Sequence, residues 1–424
     1  MYRAFLSVRR KSSHLALAIA LATGGAVASA AYAPAAIAQE DRDFSEAFAA
    51  AYQPVADMVT NETPDWQGAR ARVDAVIASA STPDDLFVVG NLAQAIGQNM
   101  QDAGLRQRGI QLMLQSGKLP AADIPRYHYY NAQFAFNAGD YAAARTALDA
   151  AVAAGYVDAD SDPANDPAYI YAQSYAAEEN FPASIAYLSQ EAERRLAAGQ
   201  PVPERWLLRA LQDSYDNDLR NEAVTVSQLL LRNNNAQQNW TNALQVVRAL
   251  YEFQPATRVD LYRLMDATGT ISSSQEYFNF ADDLDPRIMG SEVLAVLQRG
   301  VDSGVIDAGD AYLVELRGIA TPRAAGDRSE VNDYISEAES GDARTAFSTG
   351  DVLYSLERYD DAERFYQLAL DRGFDADAAR LRLGIAQTQQ GNYTAAKANF
   401  EQIAGERDPI AKLWAAYADT MMNQ

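Results

Sequence analysis

The sequence predicts an all-α protein, a right-handed α-solenoid of stacked helix-turn-helix repeats. Three observations predict it: a self-similarity with a fixed period near the C-terminus, apolar residues at helical spacing through most of the chain, and near absence of alternating strand patterns.

The period comes first. Gly350 recurs as Gly384, Tyr359 as Tyr393, Ala362 as Ala396 and Tyr366 as Phe400, each 34 residues apart. A small residue at Gly350 or Gly384 lets the second helix of a pair approach closely, and Ala362 or Ala396 does the same from the other side. Tyr366 and Phe400 fill the space between one repeat and the next. Tyr359 and Tyr393 open the second helix after a tight turn, as at Gly391-Asn392. One pair cannot bury its apolar face alone, so neighbours must stack.

These residues resemble the tetratricopeptide repeat family, whose unit is a helix-turn-helix of 34 residues. The resemblance implies a protein-binding solenoid. One more period puts Trp414 where the family often has tryptophan, in a last helix without a following partner. That helix reads as a terminal cap ending in Asn423-Gln424.

Upstream the pattern drifts. Gly139-Asp140-Tyr141 with Ala144, Leu148 and Ala151, and Ala132 at the crossing, matches one second-helix opening. Asn180-Phe181 with Ser184 and Leu188 is the next, Ala223 a third, and Asp65-Trp66 an earlier one. Residues 234–330 are least regular, with helical spacing punctuated by Pro255, Pro286 and Pro322. The expected organisation is a signal peptide over 1–38, degenerate repeats over 39–330, and regular repeats with the capping helix over 331–424. These form one continuous solenoid of nine or ten helix pairs, and a hinge, if the chain had one, would fall at Thr321 to Glu330.

The first stretch carries Arg3, Arg9, Arg10 and Lys11, then an apolar run from Leu15 to Ala22, then small residues. That run is far shorter than the roughly 20 residues a membrane span needs, so it predicts a cleaved signal peptide. The cut falls after Ala30 or Ala38, and the polar Gln39-Glu40 favours the second. With no cysteine, the processed chain has no lipid anchor, disulfide or thiolate metal site. A soluble periplasmic protein is expected, without a membrane span once the signal is removed. The full chain has 35 basic and 57 acidic residues and a net charge of −22, which becomes −26 without the four basic residues of the signal. Nucleic acid and anionic lipid are thereby disfavoured as partners.

Catalysis is not expected. His128 is the only histidine after the signal, and one histidine without cysteine cannot build the usual hydrolytic triad or zinc site. It reads as a helix-packing residue. Soluble lytic transglycosylases resemble this chain in having a superhelix behind a signal peptide, but their chemistry lies in a separate domain for which the C-terminal repeats leave no room. Asp158, Asp160, Asp162 and Asp166 alternate like calcium ligands. A calcium loop, however, wants glycine and glutamate where Pro163 and Tyr169 stand. Asp166-Pro167 reads instead as a helix start. No cofactor and no metal are expected.

In the tetratricopeptide family the first helix of each pair lines a concave groove. Carried over by position, this implies Tyr129, Gln133, Phe136 and Asn137, then Tyr169 and Gln173, then Leu208, Gln212 and Tyr215 as groove residues. An amide offers donor and acceptor together, so recurring glutamines suit the backbone of an extended peptide. Tyrosines add flat, rigid contact area. The same mixture suits sugar hydroxyls and ring faces, so a glycan is a rival ligand. Tyr129 and Tyr169 replace the lysines that clamp a terminal carboxylate in some family members. A second candidate groove has Arg344, Phe347, Asp351 and Tyr354, followed by Leu381, Ile385 and Thr388, and suits a partner helix. The expected function is a periplasmic scaffold or adaptor for a protein partner, in envelope assembly or polymer export, with glycan binding as the alternative.

Overall fold

The computed structural model describes residues 43–157 and 162–423. The expected signal peptide, and Asp158 and Asp160 of the acidic loop, lie outside the described residues. Among the described residues there are twenty α-helices and no strand, and the architecture is an all-α helical repeat. No described helix is long and apolar enough to cross a membrane. The chain divides into two compact units, Met1–Val157 and Asp158–Gln424.

The first unit contains α1 (Glu46–Thr60), α2 (Trp66–Ser79), α3 (Pro83–Met100), α4 (Ala103–Ser116), α5 (Ile124–Asn137) and α6 (Tyr141–Ala153), each packed on the next. Asp65, Asp102 and Asp140 start α2, α4 and α6 by accepting a free backbone N–H of the first turn, a cap that contributes about 1 kcal/mol. The tightest crossing joins α3 to α4. A Cβ on Gly90 or Gly109 would lie 2.7 or 2.6 Å from the carbonyl oxygen of the other glycine, so the two backbones touch.

Asp85 ties the start of this unit down. Its carboxylate is fully buried and accepts from the Ser45 hydroxyl at 2.8 Å and from the amides of Ser81 and Thr82 at 3.0 and 3.1 Å. Burial alone would raise its pKa, but the Ser81 amide, the Ser45 hydroxyl and the Thr82 amide outweigh that and hold it below the usual carboxylate value. A depressed folded pKa contributes stability that is present above the unfolded value of about 3.9 and is lost as pH falls through the lower folded value. Asp85→Asn is therefore expected to lower stability at neutral pH and to flatten its decline below about pH 4. Urea unfolding over a pH series checks this, and an unchanged acid limb removes Asp85 from the account.

The second unit runs through α7 (Pro167–Ala177), α8 (Phe181–Ala197), α9 (Glu204–Asp216), α10 (Arg220–Asn233), α11 (Gln237–Leu250), α12 (Pro255–Ala267), α13 (Ser274–Leu284), α14 (Gly290–Asp302), α15 (Ala311–Ser340), α16 (Ala343–Ser355), α17 (Tyr359–Asp371), α18 (Ala376–Gln389), α19 (Tyr393–Phe400) and α20 (Asp408–Met422). The aromatics of the repeat pattern stand at helix starts: Phe181 opens α8, Tyr359 opens α17 and Tyr393 opens α19. The segment Thr321 to Glu330, where a hinge would have fallen, and the boundary after residue 330 both lie within the single 30-residue helix α15, which continues through Pro322. It packs on both α14 and α16, so no break occurs there.

The repeat glycines are floors for aromatic rings. A Cβ on Gly350 would come 2.8 Å from the Tyr366 ring, and one on Gly384 would come 2.5 Å from the Phe400 ring. Both rings are almost fully buried and have nowhere to swing. Replacing a mid-helix glycine by alanine gains about 0.5–1 kcal/mol of propensity, while overpacking a filled core costs about 1–3 kcal/mol. Gly384→Ala is thus expected to destabilise on balance in chemical denaturation; stabilisation would show that the helices separate easily.

The C-terminal helix is not an unpartnered cap. Besides α19, α20 packs on α10 and α12. The Trp414 indole, fully buried, donates to the Asp260 carbonyl at 3.0 Å, and Gln228 on α10 donates to the Lys412 carbonyl at 3.2 Å. Pro409, Ile410, Leu413, Trp414, Ala416 and Ala418 are all buried. A helix apolar on that much of its circumference needs cover on more than one side, and the middle of the same unit supplies it. The stack of helices in this unit returns on itself, within one apolar cluster reaching from Val224 to Ala416.

Candidate functional site

In the first unit, Tyr129 is buried and stacks on Tyr156, with ring centroids 4.2 Å apart. Phe136 meets Tyr141 edge-on at 5.4 Å. Gln133 is half-buried and Asn137 exposed. His128 is also half-buried on α5, and burial lowers its basicity.

In the second unit, Tyr169 stacks on Trp206 at 5.8 Å and carries the Arg205 guanidinium at 5.7 Å. Gln173 has a buried side-chain nitrogen without a hydrogen-bond partner. Leu208 packs at the edge of the core, Gln212 donates to Asp216 at 2.9 Å, and Tyr215 is exposed. Asp162 pairs with Arg205, while Asp166 caps α7 and pairs with Arg195, so the described aspartates of the acidic loop have protein partners. Among the described residues no group of three or more histidine, cysteine or acidic side chains is placed to hold a metal.

The second expected groove is filled by the chain itself. Leu381 and Ile385 are fully buried and Thr388 nearly so, because α12 and α20 lie against α18. The partner helix that this apolar face suits is thus internal. Asp351 accepts from the Tyr366 hydroxyl and from Arg382, both at 2.7 Å. Tyr354 is buried under the Arg263 guanidinium at 4.2 Å. Phe347 stacks on Phe374 at 4.3 Å, and only Arg344 is exposed.

These contacts belong to a buried ionic centre. Arg263 on α12 is 3% exposed. It makes a two-pronged bond to Glu292 on α14 at 2.8 and 2.7 Å and reaches Asp260 at 3.1 Å. Arg382 on α18 bonds Asp260 at 2.6 Å and Asp351 on α16 at 2.7 Å, and donates to the Ala256 carbonyl at 3.1 Å. Burial disfavours both guanidinium charges, but the surrounding carboxylates outweigh it and raise both pKa values. Four helices are clamped together where the repeat pattern points to open space. The signal for this is faint: Arg263 and Arg382 lie at helical positions otherwise occupied by apolar residues, and the sequence alone does not place their carboxylates beside them.

An open cleft of about 1010 Å³ lies in the same unit, with α8 and α10 on one side and α19 and α20 on the other. Its floor is apolar, with Leu229, Phe400 and Ile403 nearly fully buried. The rim is polar and internally paired: Arg232 with Glu193 at 2.8 Å, Lys397 with Asp419 at 2.6 Å, and Lys412 with Asp408 at 2.8 Å. Between these pairs stand the amides of Gln228, Asn233, Asn234 and Asn235. Asn233 donates to the Val202 carbonyl at 3.1 Å and Gln228 to that of Lys412, which leaves their amide oxygens as acceptors. None of the expected groove residues lines this cleft. The run Asn233-Asn234-Asn235 was the available signal, but it reads as a loop until α20 is placed opposite.

No protein-family model matches the chain, and no curated protein matches it. Among solved structures it is similar to a chain of Naa15/Naa10 bound to HypK-THB, at 12% identity over 85% of this chain and 56% of that one, with a TM-score of 0.33. It is also similar to a chain of the APC/C hetero-tetramer Cut9-Hcn1, at 15% identity over 84% and 66% of the two chains, with a TM-score of 0.20. The chain spans less than two thirds of either of these. Its helical-repeat fold rests on its own helix pairing.

Proposed function

We propose that this protein is a non-catalytic binding scaffold that holds an extended segment of a partner protein in the cleft between α8–α10 and α19–α20. The observation that carries the reading is the cleft itself, with an apolar floor beneath a rim of amides and neutralised charges. Side chains of a bound segment find apolar cover on the floor, and its backbone finds amide donors and acceptors on the rim. With each rim lysine and arginine already paired, recognition rests on backbone bonds and burial more than on charge. The tyrosines and glutamines of α7 and α9 are a second contact surface of the same kind. We further propose export to the periplasm and a role in envelope assembly or polymer export, supported by the basic-then-apolar start of the chain and its lack of cysteine.

Peptides selected from a random displayed library against the full processed chain test the cleft. Thr225→Trp, which places a large ring on the cleft wall, is expected to weaken the selected peptides at least about tenfold in fluorescence anisotropy, with loss of several backbone bonds of about 1 kcal/mol each. Val314→Ser, at an exposed site outside the cleft, should leave them unchanged. Equal affinity for wild type and Thr225→Trp refutes the assignment. N-terminal sequencing after cell fractionation tests export, since a processed start after Ala30 or Ala38 is expected and a retained Met1 in the cytosol excludes it.

A further inference from the structure

We infer that a second, smaller cavity inside the second unit is a binding site for a short neutral saccharide. This goes beyond the scaffold reading and does not rest on it, because the cavity shares no lining residue with the cleft.

The cavity holds about 340 Å³, near the lower end of the range of about 300–1,000 Å³ for small-molecule sites and enough for about one or two sugar rings. Its walls come from α12, α13, α14, α16 and α18, closed by the first turns of α17 and α19 and by α20. The ionic centre forms part of the wall. Arg263 is spent on Glu292 and Asp260, and Arg299 is spent on Asp266 at 3.1 and 2.7 Å. An anionic ligand therefore finds no spare cation, and Glu357 at the rim repels it further. The carboxylates Asp266 and Glu292 are held in the same pairs, so a cationic ligand finds Glu357 as its one counter-charge in the lining. Neutral hydrogen-bonding chemistry is what the lining accepts.

Four tyrosines line the cavity, Tyr354, Tyr359, Tyr393 and Tyr417, with Gln389 and Thr388 beside them. Tyr354 and Tyr359 meet edge to face at 5.2 Å, which fixes two rings at an angle to one another. A pyranose presents C–H faces to aromatic rings and hydroxyls that both donate and accept. Phenol hydroxyls and the Gln389 amide, whose nitrogen donates to the Tyr354 hydroxyl at 3.4 Å and whose oxygen remains an acceptor, answer those groups without bringing net charge. Tyr417 also lies in edge contact with Trp240 at 6.0 Å and with Trp414 at 5.6 Å, so a ligand that shifts Tyr417 changes tryptophan emission.

The processed full chain is titrated with D-glucose, N-acetyl-D-glucosamine, maltose and N,N′-diacetylchitobiose, with calorimetry and tryptophan fluorescence as readouts. Saturable binding of at least one is expected. Gln389→Ala, at an exposed residue whose loss leaves the core intact, should weaken it about tenfold, as for one or two lost hydrogen bonds. Ala295→Phe, which fills the cavity, should abolish it. The inference is overturned by absence of saturable binding for all four sugars, by binding that both variants leave unchanged, or by choline or inorganic phosphate binding in their place.

Discussion

Arg263→Met is expected to destabilise the second unit by about 3–5 kcal/mol, because removing one member of a buried ion pair strands the charges it neutralised. Methionine keeps most of the arginine stem's packing, so the loss reports the charge. Glu292 and Asp260 are themselves buried at 8% and 3% exposure. With Arg263 gone, Glu292 loses both prongs of its bond and Asp260 retains only Arg382. The same substitution at an exposed pair, Arg220 with Asp218, should cost at most about 1 kcal/mol. Neutralising the partners as well, in Asp260→Asn with Glu292→Gln and Arg263→Met, should recover part of the loss, since a buried pair replaced as a whole is often close to neutral. Urea unfolding with tryptophan emission checks all three. A loss under about 1 kcal/mol for Arg263→Met would mean that water reaches the centre and the clamp is weak.

Trp414→Ala is expected to cost a similar amount, about 3–5 kcal/mol for truncating a fully buried aromatic, with the Asp260 carbonyl losing its indole donor as well. The two substitutions meet at Asp260, whose carboxylate binds both arginines and whose carbonyl binds Trp414. Their effects should therefore not add, and the double variant gives the coupling. Hydrogen exchange separates a closed stack from a capped one. If α20 holds the unit together, Trp414→Ala speeds exchange in α10 and α12 as well as in α20. Faster exchange in α20 alone would return it to the role of a terminal cap.

Local features were legible in the sequence because local chemistry produces them. Helix starts at Tyr141 and Phe181 follow from a turn and a side-chain cap by Asp140 and Asn180, and those at Tyr359 and Tyr393 from the turn before them. The close approach at Gly350 and Gly384 follows from a small residue one repeat-length from the next. Asp166 starts α7 because a short side chain reaches a free amide of the first turn, that of Ala168, whatever the rest of the chain does. The candidate sites were not legible in the same way. Tyr354 and Asp351 read as groove residues from their register, but Tyr354 is buried under Arg263 of α12 and the half-buried Asp351 is held by Arg382 of α18. The amides of Gln228 and Asn233 to Asn235 become a rim only once α20 faces α10.

The sequence by itself determined the helices, their pairing along the chain and the fold class, since a helix pair is set by residues within about one repeat length and stacking follows from the apolar face each pair exposes. The tertiary structure alone decided that the second unit returns on itself, which residues of the expected groove are interior, and where open space remains. Those outcomes depend on contacts between residues more than 100 positions apart, such as Asp260 with Trp414. A periodic pattern carries no information about which distant helix covers an apolar face, because any helix of the right width covers it equally well.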